Sequence, residues 1–376
     1  MALRAEWRLA AFYFAHFAWA GIFVAYFPLY LAGRGFSPLE IAWVLALPQV
    51  ARTVAPAAWG WLADRTGALR GIVAFSCLAS AVGFGLLSLA NDFLSVALLI
   101  ATLSLLSAGA LPLVETMTLG MLAGQPGRYG PIRLWGSIGF IATLLGGGAW
   151  LERYPVATVP AAIAALCVLS LAVALSLPSR PAPLQRKSMP LQLRGDAFLL
   201  LGTGFCMALA HGALYAFLSL HLERQGYSVV LIGALWTVGV VAEILVFVFL
   251  PALFQRFTLA AILAFSFGCA VVRFLAIAWL AEALWIVLLA QVLHAATFGA
   301  FHAASVAAVH RAFPASAHAR GQTLYSGVTY GAGGAAGALL AGWAWQAGGA
   351  GFAFSLSAAA GVVGLLLAMA LKRYGL

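Results

Sequence analysis

Two ionisable residues of opposite sign stand inside apolar runs, eighteen positions apart. Glu115 lies in Leu113-Val114-Glu115-Thr116, and Arg133 in Tyr129-Gly130-Pro131-Ile132-Arg133-Leu134-Trp135-Gly136, with the polar break Gln125-Pro126-Gly127-Arg128 between them. Four more groups share that setting: Arg52, Glu243, Arg273 and His294. A charge facing lipid costs several kcal/mol, so such residues face one another or a wet cavity, where they read as a solute site. A carboxyl in a dry site prefers to be neutral and releases its proton when a cation or water approaches. The chemistry on offer is therefore the binding of a charged solute together with a proton. Intramembrane hydrolysis is the rival, but neither adjacent acids nor a His-x-x-x-His pair accompanies these residues.

The elements that must position these groups are membrane helices. Of 376 residues, 64% are hydrophobic and 8% charged, against roughly 25% charged in a soluble domain. A bilayer crossing takes about 20 apolar residues, and twelve such segments are legible: 8–32, 38–63, 70–91, 93–123, 129–151, 157–177, 197–222, 228–254, 259–280, 283–310, 320–345 and 350–371. The net charge of +10 is a topology signal and not a nucleic-acid signal. With a cytoplasmic N-terminus, fourteen basic residues fall on the cytoplasmic side, three outside (Arg34, Arg153 and Arg224) and three within the apolar segments, as the positive-inside rule requires. Both termini are then cytoplasmic, and the first apolar run stays in the protein as a helix because it carries no signal-cleavage pattern.

A stretch rich in Pro, Arg, Ser and Gln at 178–196 divides an N-terminal six-helix bundle, 1–177, from a C-terminal one, 197–376. The halves repeat weakly. A shift of 191 lays Leu29, Leu31, Gly35, Ser37, Ile41, Val50 and Ala51 on identical residues, and Arg52 on Glu243. Two related bundles with a site near mid-membrane are the layout of a rocker-type transporter. Cys77, Cys167, Cys206 and Cys269 have no metal-ligand spacing and read as packing residues. His294, His302, His310 and His318 recur every eight residues, a step that turns a helix about 80° beyond two turns, so no metal face is expected.

The second segment ends in Gly60-Trp61-Leu62-Ala63-Asp64-Arg65-Thr66-Gly67, followed by Arg70. This resembles the G-x-L-a-D-R-x-G signature of the major facilitator superfamily. The resemblance implies an all-α fold of twelve transmembrane helices in two pseudo-symmetric bundles, with Gly60, Asp64, Arg65, Gly67 and Arg70 as a cytoplasmic gating motif in which Asp64 caps a neighbouring helix. The hairpin carrying Glu115 and Arg133 resembles that of the phenylpropionate permease family and, more distantly, of lactose permease, with Tyr129, Gly130, Trp135 and Gly136 filling the shared string. It implies that Glu115 and Arg133 bind substrate, with Phe140 stacking on it. A step of seven keeps Phe140 near the face of Arg133.

In the second half, Glu243, Arg273 and His294 resemble the proton-coupling carboxylate, arginine and histidine of lactose permease, although Thr297 stands where that protein has a second carboxylate. Arg52, opposite Glu243 in the repeat, joins this proton-coupling set, for which a fixed ion pair is the structural alternative. His211, Tyr215 and Trp236 complete the expected substrate wall. Three interior arginines against two carboxylates favour an anionic cargo, and arginine grips carboxylates in a planar fork. The reading is a monomeric proton symporter of the bacterial inner membrane, importing an aromatic monocarboxylate such as 3-phenylpropionate. It works in the lipid bilayer on a small-molecule substrate and a proton, with no cofactor beyond the proton gradient and no nucleic acid. A sugar or nucleoside symporter is the first alternative. A drug exporter is disfavoured because Phe140 follows Gly139 where antiporters of the superfamily carry Gly-Pro.

Overall fold

In a hydrocarbon core a chain must close its backbone hydrogen bonds within itself, and a run of apolar residues does so as a helix. The computed structural model describes residues 2–122, 125–178, 195–314 and 317–375, and among them the regular structure is helical. The helices are α1 (Ala2–Gly33), α2 (Pro38–Thr66), α3 (Leu69–Leu86), α4 (Phe93–Met121), α5 (Tyr129–Leu151), α6 (Val159–Ser176), α7 (Gly195–Arg224), α8 (Val229–Arg256), α9 (Leu259–Leu280), α10 (Leu284–Ala312), α11 (318–348) and α12 (350–371). The last two form one helical tract that breaks at Gly349, whose φ is 74° and ψ −168°. Residues 179–194, which hold most of the expected linker, lie outside the described residues.

Both copies of the repeat turn the chain in the same way. Gly35 and Gly226 take φ of 82° and 85°, a left-handed conformation in which a Cβ would be strained. Around them Phe36 N–H donates to Leu31 O at 3.2 Å, and Tyr227 N–H to Leu222 O at 3.1 Å. Ile41 N–H to Ser37 O and Ile232 N–H to Ser228 O then open the following helices. The identical residues at a shift of 191 are thus the closing and opening signals of successive helices.

Among the described residues two π-helical segments interrupt the α geometry, Ala295–Ala300 inside α10 and Gly327–Gly333 inside α11. Such widened turns are concentrated at functional sites. Each changes which side chains the rest of its helix presents to its neighbours.

By packing, the described residues form two compact units. The first takes its residues from Met1–Phe36, Val54–Arg186 and Ser228–Gly233, and the second from Ser37–Thr53, Lys187–Tyr227 and Ala234–Leu376. This differs from a division in chain order, because the first half of α2 packs within the second unit and the first turn of α8 within the first. The reason is close approach. A Cβ on Gly342 or Gly331 would collide with Ala42 or Thr53 of α2, and one on Gly233 with Tyr26 and the Leu144 carbonyl. In the first unit α1 lies against α5, where a Cβ on Gly139 would fall inside the Phe14 backbone. In the second, Gly212 of α7 meets Gly337 of α11 in the same way. Gly139 and Gly147 of α5 and Gly331, Gly337 and Gly342 of α11 therefore serve packing, as small residues do between membrane helices.

Candidate functional site

The second unit holds a buried polar network. Arg273, in the middle of α9, is 1% exposed. Its Nη1 donates to His294 Nδ1 at 2.9 Å and to Thr297 Oγ1 at 3.0 Å, and its Nη2 donates to Gln291 Oε1 at 2.8 Å. Gln291 Nε2 in turn donates to Leu235 O of α8 at 3.0 Å, which ties α8, α9 and α10 together. A guanidinium has no lone pair to offer, so His294 Nδ1 must accept and its ring hydrogen sits on Nε2. That nitrogen lies 3.9 Å from Glu243 Oε2, beyond a hydrogen bond but within charge contact. The π segment begins directly after His294 and contains Thr297. Of the three Arg273 partners on α10, Thr297 is carried by this widened turn, and Gln291 and His294 precede it.

Around the network, rings form a continuous series. His294 stacks on Phe298 at 5.2 Å, and Phe298 on His302 at 6.3 Å; His302 Nδ1 is 2.8 Å from the Tyr330 hydroxyl in the π segment of α11. In the other direction His211 lies 6.1 Å from His294 and 5.9 Å from Tyr215, which stacks on Trp236 at 6.1 Å with 18° between the planes. Tyr215, Phe298, His302, Tyr330 and Glu243 are partly exposed, whereas His211 and Trp236 are buried. The residues expected to form the wall therefore lie at two depths. Tyr215 presents its ring, Trp236 backs it with Nε1 bonded to Ser219 Oγ at 3.0 Å, and His211 is tied through Nδ1 to Met207 O at 2.8 Å. Tyr325 of α11 is wholly buried and cannot line a wall.

In the first unit Glu115 of α4 and Arg133 of α5 are half-buried electrostatic neighbours. The Arg133 guanidinium lies over Phe17 at 4.0 Å and over Tyr13 at 5.6 Å, both on α1. Tyr13 and Tyr129 are within electrostatic range of both charges. Arg133 is accordingly held over the faces of two rings, an arrangement worth about 0.5–2 kcal/mol per cation–π contact. Phe140 is half-buried one helical stretch further along α5. Arg52 is exposed on α2, with its Nη1 bonded to Gln49 Oε1 at 3.1 Å.

The α2–α3 turn explains part of its motif directly. Gly67 has φ of 67° and its N–H closes on Ala63 O at 2.8 Å, so this position needs a glycine. Arg65 lies over the Trp61 ring at 5.6 Å, and Gly60 has open space where a Cβ would be. Asp64 and Arg70 are exposed, and among the described residues Asp64 caps no helix.

The MFS_1 like family matches residues 6–356 of the chain. The chain belongs to this family. It is 28% identical over 315 residues to a probable 3-phenylpropionic acid transporter of Escherichia coli (strain K12), covering 79% of this chain and 80% of that one. Over 172 residues it is 30% identical to a maltose permease of Geobacillus stearothermophilus, covering 45% and 43%. Among solved structures, the nucleoside transporter NupG superposes with a TM-score of 0.84 at 19% identity, over 98% of this chain and 99% of that one, a likeness of fold alone. This member of the major facilitator class is a multi-pass membrane transporter and not an enzyme.

Of the residues read from the sequence, Glu243, Arg273, His294, His211, Tyr215 and Trp236 come together in the second unit, and Glu115 with Arg133 in the first. Sequence reasoning missed Gln291 and Thr297 as the partners of Arg273, Tyr330 as the partner of His302, and Tyr13 and Phe17 as the rings under Arg133. Gln291 left a signal, a primary amide three residues before His294 in an otherwise apolar run. The eight-residue histidine period misleads at its end: His310 and His318 lie on different helices, and their rings approach to 4.5 Å.

Proposed function

We propose that this transporter is a proton symporter that imports an aromatic monocarboxylate of the 3-phenylpropionate type by alternating access. It would act as a monomer in the bacterial inner membrane, with both termini cytoplasmic. The observation that carries the proposal is the order Arg273, His294, Glu243. A buried arginine occupies one nitrogen of the imidazole while the N–H on the other faces a partly exposed carboxyl. While Arg273 holds Nδ1, His294 cannot take a second proton, so the transported proton resides on Glu243. Release of Nδ1 by Arg273 opens the imidazole to it. Tyr215, stacked on Trp236, and Phe298, stacked on His294, offer the flat apolar surface that an aryl group needs, and the likeness to the Escherichia coli protein supports the same class of cargo.

The second reading is a sugar or nucleoside symporter. It is favoured by Glu115 beside Arg133, a pair able to hold hydroxyls, and by the likeness to the maltose permease. Proton uptake into proteoliposomes on adding 3-phenylpropionate, maltose or a nucleoside separates the two. In the aryl-acid reading only the first drives uptake, and Glu243→Gln retains substrate exchange but loses accumulation. Accumulation against a gradient by Glu243→Gln defeats the coupling assignment.

A further inference from the structure

The spacing of exposed side chains on α2 places Arg52 in water and not in lipid. Trp43, Val50, Val54 and Trp61 are 50%, 52%, 61% and 61% exposed. At about 100° per residue these four fall in one narrow sector, and Arg52 stands about 160–200° round the helix from each of them. A large apolar stripe in one sector marks the lipid side, so the exposed guanidinium opposite it faces an aqueous space. The middle of α2 is fixed at this level. The Gln49 side chain lies over Gly334, where a Cβ would meet its amide carbon at 3.5 Å, and Thr53 packs on Gly331.

The same π segment of α11 that supplies Gly331 presents Tyr330. Arg52 is in electrostatic range of the Tyr330 and Tyr215 phenols, and among the described residues its side chain makes one hydrogen bond, from Nη1 to Gln49 Oε1. Arg133, by contrast, has its guanidinium over the Phe17 and Tyr13 rings, with Glu115 in electrostatic range.

From this contrast we infer that Arg52, not Arg133, anchors the carboxylate of the substrate. Its guanidinium forks onto the two oxygens while Tyr330 and Tyr215 flank the ligand on the second unit. The ligand class is an aryl or arylalkyl carboxylate, with its ring directed along the Tyr215 and Phe298 surface. Arg52 thereby leaves the proton-coupling set in which the repeat placed it. An incoming anion would complete the hydrogen-bonding capacity of a group that water otherwise serves, and arginine recognises planar carboxylates through such paired donors.

This inference rests on the aryl-acid reading above, and the experiment keeps the two apart. Equilibrium binding of 3-phenylpropionate and of its neutral amide is measured on the purified full-length protein and on Arg52→Gln, Arg52→Lys and Arg133→Gln, with thermal unfolding as the check on folding. The wild type is expected to prefer the acid by at least about tenfold, the equivalent of one charge-assisted hydrogen bond. Arg52→Gln is expected to bring the two affinities together while leaving that for the amide within about threefold, and Arg52→Lys to retain part of the preference. Arg133→Gln is expected to weaken both ligands in parallel. A preference for the acid that survives in Arg52→Gln, or disappears in Arg133→Gln, overturns the inference alone. A wild type that binds neither ligand overturns the aryl-acid reading and the inference with it.

Discussion

His294 can be divided into its two nitrogens by substitution, because an asparagine amide oxygen reaches the place of Nδ1 and a glutamine amide reaches that of Nε2. In the structure Nδ1 accepts from Arg273 and Nε2 faces Glu243. His294→Asn preserves an acceptor for Arg273 and removes the group beside Glu243. His294→Gln does the reverse and leaves Arg273 Nη1 with Thr297 alone, at 3.0 Å. Arg273 is 1% exposed, so water cannot replace the lost partner. A hydrogen bond from an ionised group contributes about 1.5–3 kcal/mol, and leaving a buried donor unmet costs a similar amount. His294→Gln is therefore expected to destabilise the protein by about 2 kcal/mol, and His294→Asn by no more than about 1 kcal/mol, from lost stacking on Phe298. Unfolding of the purified protein in detergent reads the stabilities. Substrate accumulation against counterflow in proteoliposomes reads the coupling, which His294→Asn should impair at near-native stability. Nitrogen NMR of the labelled imidazole should report hydrogen on Nε2. Equal destabilisation by both variants, or hydrogen on Nδ1, refutes the arrangement.

Other consequences are direct. The Asp92 carboxylate, capping α4 from outside the bilayer, is held below the usual range by the Ser95 backbone N–H and then by the Ser95 hydroxyl. A depressed folded value means that the stabilisation is present at neutral pH and is lost as pH falls through that value. The difference in unfolding temperature between wild type and Asp92→Asn should accordingly be present at pH 7 and close at acid pH; a constant difference would show that charge has no part in it. Gly67→Ala places a Cβ at φ of 67° and should cost about 1–2 kcal/mol. Gly146→Ala, with open space around the Cβ, should be neutral or slightly stabilising in the same unfolding assay. If the two alanines behave alike, the left-handed turn after α2 is not under strain.

Several features were legible without coordinates because they depend on local chemistry. Runs of apolar residues must become helices in lipid, so the twelve segments stand close to where they were read. α3 ends earlier, at Leu86, because Asp92 and Ser95 cap the next helix and the residues between them form turns. The repeat was visible as Gly35 and Gly226 because both close a helix in a conformation that a side chain opposes. Charges in apolar segments drew attention to Glu115, Arg133, Glu243 and Arg273 because each needs a partner. Which partner it takes was not legible. Thr297 reaches Arg273 from a π turn that no periodicity announces, since one inserted residue leaves the apolar pattern of α10 almost unchanged, and Gln291 reaches it from the α-helical stretch before that turn.

The amino-acid sequence by itself determined the membrane-spanning helical architecture, the weak duplication and the small set of ionised groups that lipid cannot tolerate alone, since each follows from transfer free energies and backbone geometry. The tertiary structure alone decided that Trp236 and His211 stand behind Tyr215, that Arg133 is held by rings while Arg52 is accessible, and that the first half of α2 packs with the second unit. Those outcomes depend on which helix faces meet at close range, and small residues scattered over distant helices decide that jointly.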